Sequence, residues 1–195
     1  MSPDPIRARL SIVPLEPRHW QRVREIYLQG IATGQATFET AAPEWRAWDA
    51  GHLQHSRLVA TPAEDESGAA PGRTPAADGQ IVGWAALSPV SARKCYMGVA
   101  EVTIYIAAEA RGRGVGTVLL RELIRASEAA GIWTLQSVVF PENLATIRLH
   151  ERCGFRVVGR RERMAQRDGA WRDTLLLERR STLVGARAEL ASARG

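Results

Sequence analysis

Arg111-Gly112-Arg113-Gly114-Val115-Gly116 joins a strand-like run to a helix-like run, and the reading of this junction decides the fold. Ahead of it, Glu101-Val102-Thr103-Ile104-Tyr105-Ile106 is β-branched and aromatic, which predicts a strand. Behind it, from Val115 to Ala130, Val115, Val118, Leu119, Leu123 and Ala126 recur at helical spacing. Glycines at 112, 114 and 116 strip side chains from the point where loop becomes helix. Backbone N–H groups are left facing outward at the positive end of a helix dipole, with Arg111 and Arg113 adding charge, so the junction reads as a cradle for an anion such as phosphate.

The kind of phosphate loop is narrowed by what the junction lacks. A Walker loop needs a lysine followed by Ser or Thr after its last glycine, and no such lysine is present. A dinucleotide fingerprint spaces its glycines G-x-G-x-x-G, whereas these run G-x-G-x-G.

Working outward, the chain reads as a single domain over 1–182 followed by a tail over 183–195. Arg9 to Leu15 alternates as an edge strand, and a helix from His19 to Ala32 turns Trp20, Val23, Ile26, Tyr27 and Ile31 to the core. Ala36 to Thr40 is a loop, and Pro43 opens a second helix through Trp45, Trp48 and Leu53. Leu58 to Ala60 and Ile81 to Leu87 read as a hairpin around a flexible loop at 61–79, which is rich in Pro, Gly, Ala and acid. After the glycine junction come a strand (Thr134 to Phe140), a helix (Leu144 to Cys153) and two strands (Phe155 to Arg163, Arg172 to Arg179). The expected class is α/β, a mixed and mostly antiparallel sheet flanked by helices.

Composition excludes several functions. The net charge of +5 comes almost wholly from scattered arginines, Lys94 being the one lysine; no basic run is interleaved with aromatics, so nucleic acid is not the expected partner. No apolar run approaches the length of about 20 residues needed for a membrane span, and Met1 to Leu10 lacks a signal-peptide core. Two cysteines, Cys95 and Cys153, make no disulfide framework, and His19, His52 and His55 form no metal spacing with them. A cytoplasmic protein without a bound metal is the expectation.

The order of these pieces resembles the GNAT superfamily of acyl-CoA-dependent acetyltransferases, from about Ile12 to Ser181. R-x-x-G-x-G after a strand is similar to its pyrophosphate loop. The resemblance implies acetyl-CoA as acyl donor, bound by Ile104, Tyr105 and Ile106 on the strand, by Arg111, Gly112, Arg113, Gly114, Val115, Gly116 and Thr117 at the junction, and by Asn143 on the pantetheine arm. It also implies an acid for the leaving thiolate at the position seven residues beyond Asn143, which is His150. Within the superfamily the chain looks like the phosphinothricin and methionine sulfoximine acetyltransferase group. The matching pieces are Ala36-Thr37-Phe38-Glu39-Thr40, Ala92-Arg93-Lys94-Cys95-Tyr96, Ala100-Glu101, Pro141-Glu142-Asn143, Leu149-His150 and Gly169-Ala170-Trp171-Arg172-Asp173. That group implies a small amine substrate, a resistance activity and a homodimer. The loop at 61–79 and Met97-Gly98-Val99 depart from its pattern and bear on substrate identity.

The chemistry sets its own demands. An α-amino group titrates near 7.7–8.0, so a carboxylate has to take its proton at neutral pH. Glu101 is the candidate base, on one strand face with Thr103 and Tyr105; its plain alternative is a surface glutamate opening a strand. His150 either protonates the thiolate, helps deprotonate the amine, or lines the core beside Ile147 and Cys153. Asn143 reads as a helix N-cap, a cofactor ligand, or both. Backbone N–H groups around Ile104 to Ile106 suit the charge that develops on a thioester carbonyl. Arg93 offers a fork for a substrate carboxylate, Tyr96 a hydroxyl for an acidic side chain, and Phe38 and Glu39 are further pocket candidates. The rival readings are acetylation of a protein N-terminus or polyamine, and a non-catalytic acyl-CoA sensor that would need neither Glu101 nor His150.

Overall fold

The structure, a computed structural model, describes residues 9–63 and 80–185. Seven strands form one sheet in the order β1-β2-β3-β4-β5-β7-β6. They are β1 Leu10–Pro14, β2 Leu58–Pro62, β3 Gly83–Pro89, β4 Val99–Ile106, β5 Thr134–Val139, β6 Arg156–Arg167 and β7 Ala170–Arg180. Four helices join them: α1 Trp20–Ala32, α2 Trp45–Gly51, α3 Val115–Ala129 and α4 Leu144–Arg152. Every strand pair is antiparallel except β4 with β5.

The helices cover opposite faces of β4. The Tyr105 ring lies 4.7 Å from Tyr27 of α1, whereas a Cβ on Gly116 of α3 would come within 3.6 Å of the Ile106 side chain. Adjacent residues of a strand point to opposite faces, so α1 and α3 sandwich the sheet. The core is continuous through both layers, with Val23, Ile26, Trp84, Leu119, Leu123, Leu135 and Leu177 fully buried. Gly30 is demanded by this packing: a Cβ there would sit 2.4 Å from the Tyr105 ring, which is itself stacked on Trp84.

The single parallel contact positions the site. β4 and β5 pair only through Val99↔Thr134, Ala100↔Leu135 and Glu101↔Gln136. Beyond Glu101, β4 continues beside β3 as far as Ile106, while β5 continues beside β7 as far as Val139. The two strands diverge into a V, and the side of β4 that faced β5 has no strand partner from Val102 onward.

Several expected boundaries shift. The second helix stops at Gly51, not Leu53. Thr61 and Pro62 belong to β2 rather than to a loop, and β3 starts at Gly83 rather than Ile81. Residues 64–79 of the expected flexible loop, and 186–195 of the expected tail, lie outside the described residues. The largest difference is β6, which runs through Arg163 to Arg167. Register shifts at Val157/Gly159 and Arg161/Ala165 break its alternation, and Arg163 adopts φ 49° with its N–H donating to the Asp173 carboxylate at 2.9 Å. A bulged strand of this kind keeps its pairing while hiding its period.

Candidate active site

The V between β4 and β5 opens into a cleft of about 1250 Å³ walled by β4, β5, the start of α3, α4 and the 33–43 segment. At one end lies the glycine junction. Gly112 and Gly114 adopt φ +73° and +80°, left-handed values that cost glycine little. Gly114 is the N-cap of α3 and offers no side chain, and the first turn contains no acidic residue. The N–H groups opening α3 are therefore met by no capping side chain, at the positive end of a helix dipole. Gly116 serves packing, because a Cβ would press to 3.1 Å on Leu149 of α4. Arg111 turns its Nε to the Ile106 carbonyl at 3.2 Å, tying the junction back to β4. Ile104, Tyr105, Ile106, Arg111, Gly112, Gly114, Val115, Gly116, Thr117 and Asn143 all line the cleft, and Arg113 does not. These residues fit a diphosphate followed by an extended arm running along the unpartnered side of β4.

Glu101 stands where the strands part. Its Oε2 accepts from Gln136 Nε2 at 2.8 Å, across the last paired rung. A neutral donor orients the carboxylate without supplying an opposing charge, and the second oxygen is left for a proton. Gln136 was not anticipated; its only local signal is a polar residue in the apolar run Leu135 to Val139.

His150 is fully buried in α4 and lines the cleft, its ring edge-on to Phe155. Its Nδ1 lies 2.9 Å from the Thr146 carbonyl, which can only accept, so Nδ1 carries the hydrogen. Nε2 is buried without a hydrogen-bond partner. Burial pushes the imidazole pKa below its ordinary value, with the Thr146 bond partly opposing it. A neutral ring in this tautomer can accept a proton at Nε2 and has none to give there. Asn143 is the N-cap of α4: its side chain accepts from the Thr146 N–H at 3.2 Å and its Nδ2 donates to the Gln35 carbonyl at 3.1 Å.

Phe38 and Glu39 are on the 33–43 wall, Phe38 half-buried with its ring edge-on to Phe140 at 4.8 Å and Glu39 exposed. Two arginines reach this wall from the far hairpin, Arg172 out of the Gly169 to Asp173 piece and Arg167, which no motif contains. Arg167 donates to the carbonyls of Ile31, Thr37 and Glu39, and Arg172 donates to the Gly34 carbonyl and the Glu142 carboxylate. Arg93 and Tyr96 are not brought to the cleft wall. Both are exposed on the connection between β3 and β4, with the guanidinium 5.7 Å from the Tyr96 ring. That connection leads into β4, of which Glu101 is the third residue. Among the described residues no group of His, Cys, Asp and Glu side chains could hold a metal ion, and no helix is long and apolar enough to cross a membrane.

Comparison with known proteins agrees with this geometry. Residues 22–155 match the model of the acetyltransferase (GNAT) family. A Bacillus subtilis protein provisionally named a phosphinothricin acetyltransferase is 33% identical over 84% of this chain and 94% of its own length. The phosphinothricin N-acetyltransferase of Streptomyces coelicolor is 29% identical over 90% of this chain and 98% of its own. In fold, the crystal structure of a Sinorhizobium meliloti phosphinothricin acetyltransferase in complex with acetyl-CoA superposes with a TM-score of 0.71 at 24% identity, covering 91% of each chain.

Proposed function

The chain belongs to the acetyltransferase (GNAT) family and is an acetyl-CoA-dependent N-acetyltransferase; on that premise we propose that its acceptor is the α-amino group of a small amino-acid-like compound such as phosphinothricin or methionine sulfoximine. The observation that carries this reading is Glu101, held by Gln136 at the branch of the V, within the cleft whose other end is the anion cradle.

Acetyl-CoA supplies a thioester. Gly112 to Thr117 bind its diphosphate, Asn143 and the open side of β4 hold the arm, and main-chain N–H groups near Ile104 to Ile106 steady the charge on the carbonyl. Glu101 takes the proton from the attacking amine at its free oxygen, directly or through water. His150, neutral and with Nε2 as acceptor, assists proton removal; as the amine nitrogen bonds to the carbonyl carbon the C–S bond breaks, and the proton held at Glu101 or at Nε2 passes to the departing coenzyme A thiolate. Phe38 and Glu39 shape the acceptor end, and Arg93 with Tyr96 recognises the acceptor's acidic groups from the β3–β4 connection. Binding both reactants side by side supplies much of the remaining acceleration.

Resistance to such compounds follows if they meet the enzyme in the cell. We place the protein in the cytoplasm, since Cys95 and Cys153 are free thiols, and as a homodimer, since Val157, Val158, Met164 and Trp171 expose apolar surface on the β6–β7 edge. The test is a panel of amines with acetyl-CoA and thiol release as readout: the amino-acid analogues should react and polyamines and peptide N-termini should not. Turnover of a polyamine alone, or no turnover at all, sinks the reading.

A further inference from the structure

The β6–β7 hairpin ends on the acceptor loop. Its turn consists of Asp168 and Gly169, with φ 51° and 77°, between the paired residues Arg167 and Ala170. Two-residue turns with both φ positive match strand twist and are stiff, so the Arg167 side chain starts from a fixed point. That side chain is only 9% exposed, and all its nitrogens are engaged. Nε lies 3.4 Å from the Asp168 carboxylate, Nη1 donates to the Thr37 carbonyl and, at 3.4 Å, to that of Glu39, and Nη2 donates to the Ile31 carbonyl at 3.0 Å.

These contacts span the loop from the end of α1 to the Phe38–Glu39 segment and touch only its main chain. The side chains of Phe38 and Glu39 stay available to the cleft. A planar fork with five donors meets three carbonyls and the Asp168 carboxylate from nitrogens fixed relative to one another, a spread that the three donors of a single ammonium nitrogen do not cover. Arg172 repeats the device one step along: Nη1 reaches the Gly34 carbonyl at 3.4 Å and Nη2 the Glu142 carboxylate at 3.1 Å, with the guanidinium 4.3 Å from the Phe140 ring. Asn143, beside Glu142, closes the circuit on the Gln35 carbonyl.

We propose that Arg167 is a positioning residue for the acceptor amine, fixing the loop that carries Phe38 and Glu39 over the Glu101 end of the cleft. This rests on the acceptor reading above. Arg167 itself meets neither the glycine junction nor the thioester end, and Asn143, which touches the same loop, is also fixed by the Thr146 N–H at 3.2 Å, so the loss of Arg167 bears chiefly on the acceptor. A displacement of about 1 Å in a reacting group costs on the order of 100-fold in rate, and that is the scale expected for the amine.

The experiment compares wild type with R167A and R167K. Hydrogen exchange at residues 33–40 should quicken at least about tenfold in R167A and by less in R167K. The amine kcat/KM should fall about 100-fold in R167A, in kcat as well as in KM, with partial recovery in R167K, while calorimetry finds acetyl-CoA affinity little changed. Unchanged exchange in the loop, or an acetyl-CoA affinity that falls as far as the amine's, overturns the proposal. If exchange in R167A quickens in β3 as well, the variant has loosened globally and R167K decides by the same two criteria. If the wild type acetylates no amine, the acceptor reading fails, and loop exchange with acetyl-CoA affinity still decides whether Arg167 holds the loop.

Discussion

The two ends of the cleft are built from different material. The cofactor end is main chain: glycines at positive φ, the uncapped start of α3 and the open side of β4. The acceptor end is side chain: Glu101 held by Gln136, Phe38 on Phe140, and arginines arriving from a hairpin 130 residues away. Backbone donors recognise what every acyl-CoA has in common and depend on no particular neighbour. Side chains recognise one acceptor among many, and each needs a distant partner to hold it. One end can therefore persist while the other changes, and substitutions should separate them.

The sharpest division is expected at Glu101. Glu101→Gln keeps the shape and removes the base, so kcat at neutral pH should fall by about 10²–10⁴-fold while acetyl-CoA affinity holds. The loss should narrow as pH rises and free amine accumulates; a pH–rate profile beside wild type measures it. Near-full activity at neutral pH would move the base to His150.

Gly114→Asp attacks the other end. A carboxylate at the helix start repels a diphosphate, so calorimetry on the folded variant should show acetyl-CoA affinity reduced on the order of 100-fold. An unchanged affinity would break the division by removing the cradle from it.

A milder effect is expected on the β3–β4 connection. Arg93→Ala should raise the amine KM about tenfold, as for loss of one charge-assisted bond, without moving that of acetyl-CoA. Equal shifts in both constants would mean that the arginine serves the structure or the cofactor.

The smallest effect concerns stability. Burial holds the His150 pKa below its ordinary value, so in that window the unfolded chain binds a proton that the folded chain refuses. Stability is full above about pH 6.5 and declines as pH falls towards the lowered value. His52, half-buried and stacked on Trp48, has a lowered pKa for the same reason and adds a decline of the same sign. His150→Asn should flatten, not abolish, the acid side of a melting-temperature profile, by about 2–4 °C. An unaltered profile would mean that His150 does not titrate with unfolding.

What could be read from the sequence follows the same division. The glycine junction, α3 and β4 were legible because their signals are local: a period, a glycine spacing, a β-branched run. Glu101 was legible as a charged residue in a β-branched run, on one strand face with Thr103 and Tyr105. Gln136, Arg167 and Arg172 were not, since their roles exist only after strands far apart in sequence have paired. β6 was cut short at Arg163, where a left-handed residue bonded to Asp173 imitates the end of a strand. Asp168-Gly169 was itself a readable hairpin turn; its weight was missed because the bulge had already ended the pattern.

The open side of β4 has one more consequence. Val102-Thr103-Ile104-Tyr105-Ile106 carries no charge and no proline, and four of its five residues are β-branched. Such a segment is what amyloid-like stacking selects, and exposed sheet edges are ordinarily guarded by charge, proline or a bulge. None of these guards is present here; enclosure takes their place, because the bare edge faces the walls of a cleft and not the outer rim of the sheet. Enclosure in the cleft therefore protects the chain from its own copies, and a nascent or heated molecule is most vulnerable to aggregation along the strand proposed to carry its chemistry.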